Sequence, residues 1–207
     1  MVYKKLQKFL EKIDHWRDRL LFPLIKKYWP RFIAPNHLSS LRIGIGIFLG
    51  ILLYYGYRNK VLIVLLFVFA LLLDLFDGSV ARALNKKTQI GAFIDPLGDK
   101  ILIIPIAIYG LLKYHKWLLL FVLLPEIINV ILAIYFQTRE IFHESNIFGK
   151  TKMVLQSFAF GIILITWPNR PSDFSVAILL ISVIFGILSF SLKWADSAQK
   201  IKNAKNL

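Results

Sequence analysis

Apolar residues along this chain gather into six long runs, at about 38 to 57, 61 to 83, 90 to 112, 117 to 136, 150 to 168 and 174 to 192. Each approaches the roughly 20 apolar residues with which a helix crosses a bilayer core of about 30 Å. Short polar breaks separate them, among them Arg58-Asn59-Lys60, Asn85-Lys86-Lys87 and Arg170-Pro171-Ser172, which have the composition of turns. The first 34 residues follow a different pattern. Leu6, Phe9, Leu10, Ile13, Trp16, Leu20 and Leu24 recur at helical spacing, and Lys4, Lys5, Lys8, Lys12, Arg17 and Arg19 fill positions between them. Such a helix lies in a membrane interface, or packs on a soluble partner as the alternative. No small-residue cleavage site follows a continuous apolar core, so no removable signal peptide is expected. The expected architecture is an all-α integral membrane protein in three parts. Residues 1 to 34 form a juxtamembrane amphipathic helix, 35 to 195 a domain of six transmembrane helices, and 196 to 207 a basic tail.

Composition removes the competing classes. Of 207 residues, 57% are hydrophobic and 18% charged, with a mean hydropathy of +0.62, too apolar for a disordered or an ordinary soluble chain. Cysteine is absent, which excludes a disulfide scaffold, thiolate nucleophiles and Cys-based metal sites. The net charge of +14 is unevenly spread. Lys and Arg crowd the N-terminal segment, the loops after the second and fourth runs and the C-terminus, whereas the opposite loops carry only Arg58, Lys60, Lys113, Lys116 and Arg170. The positive-inside rule then puts both termini in the cytoplasm, and the expected location is the plasma (inner) membrane. Attraction to anionic lipid heads accounts for the basic excess, so nucleic acid is not an expected partner. Trp16, Trp29, Trp117, Trp167 and Trp194 sit near expected membrane boundaries, as an aromatic belt does. Gly46-x3-Gly50 suits close helix packing inside the bundle better than a dimerisation face.

Four of the twelve acidic residues, Asp74, Asp77, Asp95 and Asp99, fall inside the second and third apolar runs. Each unpaired carboxylate at the centre of a bilayer costs about 2.5 to 3.5 kcal/mol, so a polar cavity or a set of cations must compensate them. Asp74, Asp77, Gly78 and Ala81 share one side of a helix, with Arg82 at its margin; Gly91, Asp95 and Asp99 form a second stripe at i, i+4 and i+8. A short loop joins the two runs, so the stripes meet near the cytoplasmic interface. With no His or Cys nearby, hard divalent ions such as Mg²⁺ or Mn²⁺ are the natural counter-charge. A pair of them about 3.5 to 4 Å apart suits phosphoryl transfer. Gly78 and Gly91 leave room against the backbone, and Arg82 offers a fork matched to phosphate. A transporter's ion or proton pathway is the non-catalytic alternative.

The pattern Asp74-x2-Asp77-Gly78-x2-Ala81-Arg82-x8-Gly91-x3-Asp95-x3-Asp99 resembles, at every fixed position, the signature of the CDP-alcohol phosphotransferase family. Pro35-Asn36-x-Leu38-Ser39-x2-Arg42 is similar to the segment that opens that family's first membrane helix, with Ser where Thr is common. The resemblance implies six membrane helices after an N-terminal amphipathic helix, a homodimer, and transfer of a phosphatidyl group from CDP-diacylglycerol to a small polar alcohol with release of CMP. It further implies that Asp74, Asp77, Asp95 and Asp99 hold two divalent ions, Mg²⁺ or Mn²⁺, and that Asp99 is the general base. Asn36, Ser39, Gly78, Arg82 and Thr88 would contact the CDP-lipid.

Gly149-Lys150-Thr151-Lys152-Met153-x2-Gln156 resembles the Gly-Lys-x-Lys-Thr-x2-Gln segment of the family's phosphatidylglycerophosphate synthases, with Met153 in place of Thr. Pro125-Glu126 stands where an Arg-acid pair is usual. The expected acceptor is sn-glycerol 3-phosphate, its phosphate held by Arg139, Lys150 and Lys152, and the alternative is inositol phosphate or another polar alcohol. Outside the class, an Asp-rich prenyltransferase and an ion-coupled transporter are the other readings of the aspartates.

Overall fold

The computed structural model describes residues 2–30, 34–84, 89–137 and 146–205. Among them are seven helices and no strand: α1 (Val2–Tyr28), α2 (Pro35–Tyr54), α3 (Lys60–Ala83), α4 (Gln89–Leu111), α5 (Lys116–Gln137), α6 (Ile147–Thr166) and α7 (Asp173–Lys205). Helix α1 coincides with the expected N-terminal helix and α2 to α7 with the six apolar runs. Helix α7 runs on through the expected basic tail to Lys205. Among the described residues, Asn36–Tyr54, Lys60–Ala83, Ile147–Thr166 and Asp173–Leu192 are long and apolar enough to cross a membrane. Such helices, each closing its own backbone hydrogen bonds, make this an integral membrane protein.

Local chemistry sets the helix ends. Pro35 opens α2, where its missing N–H costs nothing. Asn59 caps α3 by accepting from the Leu62 N–H at 3.1 Å, and Asn146 caps α6 by accepting from Gly149 at 2.8 Å. Ser172 does the same for α7 through the Ser175 N–H. After α2 the chain turns at Gly56, whose φ of 65° lies in the left-handed region that suits glycine.

On α3, Ile63, Phe67, Ala70, Leu73, Asp77 and Val80 are buried along one stripe, while Leu65, Phe69, Leu72 and Phe76 are exposed along another. An exposed apolar stripe of that length is a liability in water and an ordinary contact surface in lipid. The chain divides into two compact units, Met1–Ile106 and Ala107–Leu207. In the first unit α2 packs along α3 and α1 packs on α3; in the second α7 packs on α5 and α6.

Gly46 and Gly50 face α4 within the first unit, as the packing reading expected. A Cβ on Gly46 would lie 3.1 Å from the Ile101 and Leu102 backbone, and one on Gly50 would lie 3.2 Å from the Pro105 ring. Gly44, one turn-face away, has nothing within 4 Å of the same position. The pair makes a prediction about close approach. Gly46→Ala should destabilise by about 1 to 3 kcal/mol through overpacking, whereas Gly44→Ala should be neutral or stabilise by up to about 1 kcal/mol. Thermal unfolding of the two variants in detergent decides the matter, with a lowered midpoint expected for Gly46→Ala alone.

Candidate active site

The last turns of α3 carry Asp74, Asp77, Gly78 and Arg82, and α2 and α4 bring polar partners to the same place. Arg42 of α2 is wholly buried. Its Nη1 is in direct contact with Asp74 Oδ1, and lies 3.4 Å from Asp99 Oδ1 and 3.7 Å from Asp77 Oδ2. One guanidinium thus gathers three carboxylates from two helices. Ser39, one turn before Arg42, donates its hydroxyl to Asp77 Oδ2 at 3.1 Å. Room for the Arg42 head exists because residue 98 is glycine: a Cβ there would fall 2.9 Å from both Nε and Nη2. The head could not easily yield to such a Cβ, since the aspartates hold it from the other side.

A buried guanidinium is tolerated when carboxylates surround it, and carboxylates at this spacing are tolerated when a cation sits among them. The donor set also bears on a metal. Asp74, Asp77 and Asp99 present hard anionic oxygens to a single positive centre, which is the chemistry Mg²⁺ and Mn²⁺ require. Among the described residues no three acidic or histidine side chains form a ready-made metal cage; these three face Arg42 instead. The side chain of Asp95 lies outside the described residues, as do Thr88 and Arg139.

Arg82 ends α3 on a different partner. Its Nε donates to Asp18 Oδ2 at 2.8 Å and its Nη2 to Asp18 Oδ1 at 2.9 Å, a two-pronged pair across α3 and α1. Ser79 Oγ also donates to Asp18 Oδ1, at 3.2 Å, and Arg17 lies 3.3 Å from the same oxygen. Burial works against the charge of Asp18, but the hydrogen bond and charge of Arg82, then Arg17 and Ser79, outweigh it and hold the carboxyl below its ordinary range. The sign follows from linkage: the stability this carboxylate contributes is complete above the unfolded carboxylate pKa and is lost as pH falls through the lowered folded one. Beneath the pair, Ile25 packs with Val80 and Ala83, flanked by Leu21, Phe22 and Trp29. Trp16, Leu20 and Leu24, from the apolar stripe read in the sequence, stay exposed.

In the second unit, Lys152 Nζ lies 2.5 Å from Glu126 Oε1, and both side chains are buried. Gly186 leaves space for the Lys152 stem, 3.3 Å from where a Cβ would be. Gln156, one turn along α6, is buried on the same face. Lys150 is only partly buried in the first turn of α6. The structure therefore gives Lys152 an anionic partner of its own.

The sequence places Arg42 in the motif that opens the first membrane helix without assigning it a partner, and it gives Asp18 no role. Arg42 had a signal, since three intramembrane carboxylates demand a cation and Arg42 stood in a quoted motif. Asp18 had none, because an isolated acid in a basic helix is ordinary. In Pro125-Glu126 it is Pro125 that departs from the Arg-acid pattern; Glu126 keeps the acid, and the structure buries it against Lys152.

A family model described as CDP-alcohol phosphatidyltransferase matches residues 32–188, which include every aspartate of the cluster and Arg42. The chain belongs to the CDP-alcohol phosphatidyltransferase family. Relatives named CDP-diacylglycerol--glycerol-3-phosphate 3-phosphatidyltransferase include one from Blochmanniella floridana, 36% identical over 92 residues that cover 44% of this chain and 48% of that protein. One from Salmonella choleraesuis (strain SC-B67) is 33% identical over 42% of this chain and 48% of its own length. One from Aquifex aeolicus (strain VF5) is 29% identical over 81% of this chain and 94% of its own. The chain thus spans about half the length of the first two relatives and nearly all of the third. The family is generally dependent on divalent metal.

The Lys152 pair yields a test within this family member. Breaking a buried pair on one side leaves an uncompensated charge, so Glu126→Gln should cost about 3 to 5 kcal/mol, whereas Lys152→Met with Glu126→Leu should be near neutral. Unfolding midpoints of the single and double variants should therefore fall in the opposite order to the number of changes.

Proposed function

We propose that this protein transfers a phosphatidyl group from CDP-diacylglycerol to sn-glycerol 3-phosphate and releases CMP. The observation that carries the reading is the meeting of Asp74, Asp77 and Asp99 on one buried cationic centre, in the helices that bear the family signature. The names of the relatives support the acceptor.

In this reading Asp74, Asp77, Asp95 and Asp99 hold two divalent ions, and when bound those ions supply charge neutralisation for the diphosphate and for the oxygens that attack and leave. The chain's own residues do the rest. Ser39 orients Asp77 through its hydrogen bond, and Arg42 keeps the carboxylates gathered in the absence of substrate. Asp99 accepts the proton of the acceptor hydroxyl as that oxygen bonds to the phosphatidyl phosphorus. The bond from that phosphorus to the bridging oxygen of the diphosphate breaks, and CMP departs with the electron pair. Arg82, with Asn36, Ser39, Gly78 and Thr88, binds the CDP-lipid. Arg139, Lys150 and Lys152 hold the acceptor phosphate, with Lys150 the more open of the two lysines on α6.

Helices α2 to α7 form six spans, both termini and the site face the cytoplasm, and α1 lies on the surface of the plasma (inner) membrane with Trp16, Leu20 and Leu24 toward the lipid. Exposure of those three residues supports that placement. A homodimer completes the reading on the family resemblance.

Purified protein with CDP-diacylglycerol, Mg²⁺ and sn-glycerol 3-phosphate should release CMP and form a lipid with the mass of phosphatidylglycerophosphate. Asp74→Asn or Asp99→Asn should slow CMP release by about 100-fold or more. Release of CMP only with inositol phosphate or another alcohol would move the acceptor, and no CMP with any alcohol would overturn the reading.

A further inference from the structure

The Arg82 guanidinium is divided between two tasks. The edge formed by Nε and Nη2 is taken by Asp18, with Nη2 also 3.4 Å from Ser79 Oγ. Nη1 meets no acceptor among the described residues and lies above Gly78, where a Cβ would touch it at 3.4 Å. A side chain at Gly78 would therefore not clash with Arg82 but would cover its one uncommitted nitrogen. The Asp18 carboxylate is itself fixed, by Ser79, by Arg17 and by the apolar packing of Ile25 on Val80 and Ala83. Asp18 also lies outside residues 32–188, the segment matched by the family, so its contact is a feature of this chain's N-terminal helix.

We infer that Asp18 is a positioning residue: from helix α1 it locks the plane of the Arg82 guanidinium so that Nη1 is held over Gly78 for a phosphate oxygen of the CDP-lipid. The inference rests on the proposed function, which makes Arg82 a ligand of that donor. An arginine side chain has several rotatable bonds and, beside a membrane surface, many competing phosphates in lipid headgroups. A two-pronged carboxylate removes both the freedom and the competition, because the fork it fills is the one a headgroup phosphate would take. Nη1 remains, as a donor of fixed direction. Helix α1 then does more than attach to the membrane; it sets the geometry of the donor site from outside the bundle of signature helices.

The test uses the full chain in nanodiscs, reading equilibrium binding of CDP-diacylglycerol and, separately, the kinetics of CMP release. Asp18→Asn should weaken donor binding and raise the donor KM by about tenfold, the size expected for loss of a charge-assisted hydrogen bond, while the acceptor KM and kcat stay within about twofold. The donor defect should grow with the fraction of anionic lipid in the disc, and Asp18→Glu should recover part of it. In an Arg82→Ala background Asp18→Asn should add nothing. Equal changes in both KM values, a defect indifferent to anionic lipid, or full additivity with Arg82→Ala would each overturn the inference. If Asp18→Asn does not fold, Asp18→Glu decides alone, since a longer arm must shift the guanidinium and raise the donor KM selectively. Wild-type protein that binds CDP-lipid but releases no CMP would defeat the proposed function; wild-type turnover with an unaffected Asp18→Asn would defeat only this inference.

Discussion

Arg42 is a permanent charge with no access to solvent, and the first unit is arranged around satisfying it. A guanidinium cannot shed its proton to escape burial, so the carboxylates must come to it. Asp74 and Asp77 arrive from α3 and Asp99 from α4. The dependence runs both ways, because three carboxylates inside apolar helices would repel one another without a cation among them. Smaller choices follow from that arrangement. Residue 98 is glycine because the guanidinium occupies its side-chain space, and Gly46 and Gly50 let α2 approach α4 closely enough for Arg42 to reach across. The same charge balance gives the family's chemistry a starting point: a site already built to enclose positive charge in oxygen ligands.

A second ion pair works by the opposite logic. Asp18 and Arg82 meet in a partly exposed position at the end of α3, where an isolated pair contributes little to stability. Its worth lies in direction, since a fork-shaped contact fixes the plane of a side chain that would otherwise swing. The buried Lys152–Glu126 pair of the second unit is a third case, in which both charges are already removed from water and each offsets the cost of burying the other. The charge cluster at Arg42 thus assembles a site, the Asp18–Arg82 pair aims a side chain, and the Lys152–Glu126 pair balances two buried charges.

Much of this was legible in the sequence because bilayers impose strong patterns. Six apolar runs became α2 to α7 with ends displaced by a few residues, except that α7 runs on past the apolar stretch to Lys205, since hydrophobic length and turn residues act locally. The stripe of Asp74 and Asp77 and its convergence with Asp99 followed from helical period and a short loop. What escaped were the cations and their partners. Arg42 stood in a motif with no visible partner, because only the packing of α2, which begins at Pro35 and carries it two turns inward, shows which carboxylates it meets. Asp18 was invisible because its partner lies 64 residues away. Lys152 looked like an anion ligand by motif, and only packing reveals that Glu126 stands beside it. Helix α1 was expected to use its Trp16, Leu20 and Leu24 stripe, and it does leave that stripe open; the face that packs on α3 is another one, built from Asp18, Leu21, Phe22 and Ile25.

On the proposed function, Asp74, Asp77 and Asp99 are ligands for a cation and not only partners of Arg42. Binding of Mn²⁺ to purified protein, followed by electron paramagnetic resonance without substrate, tests it most directly. The expected result is saturable binding that Mg²⁺ displaces and that weakens about tenfold or more in Asp74→Asn and in Asp99→Asn. Binding absent from the wild type, or equally tight in both variants, would contradict it.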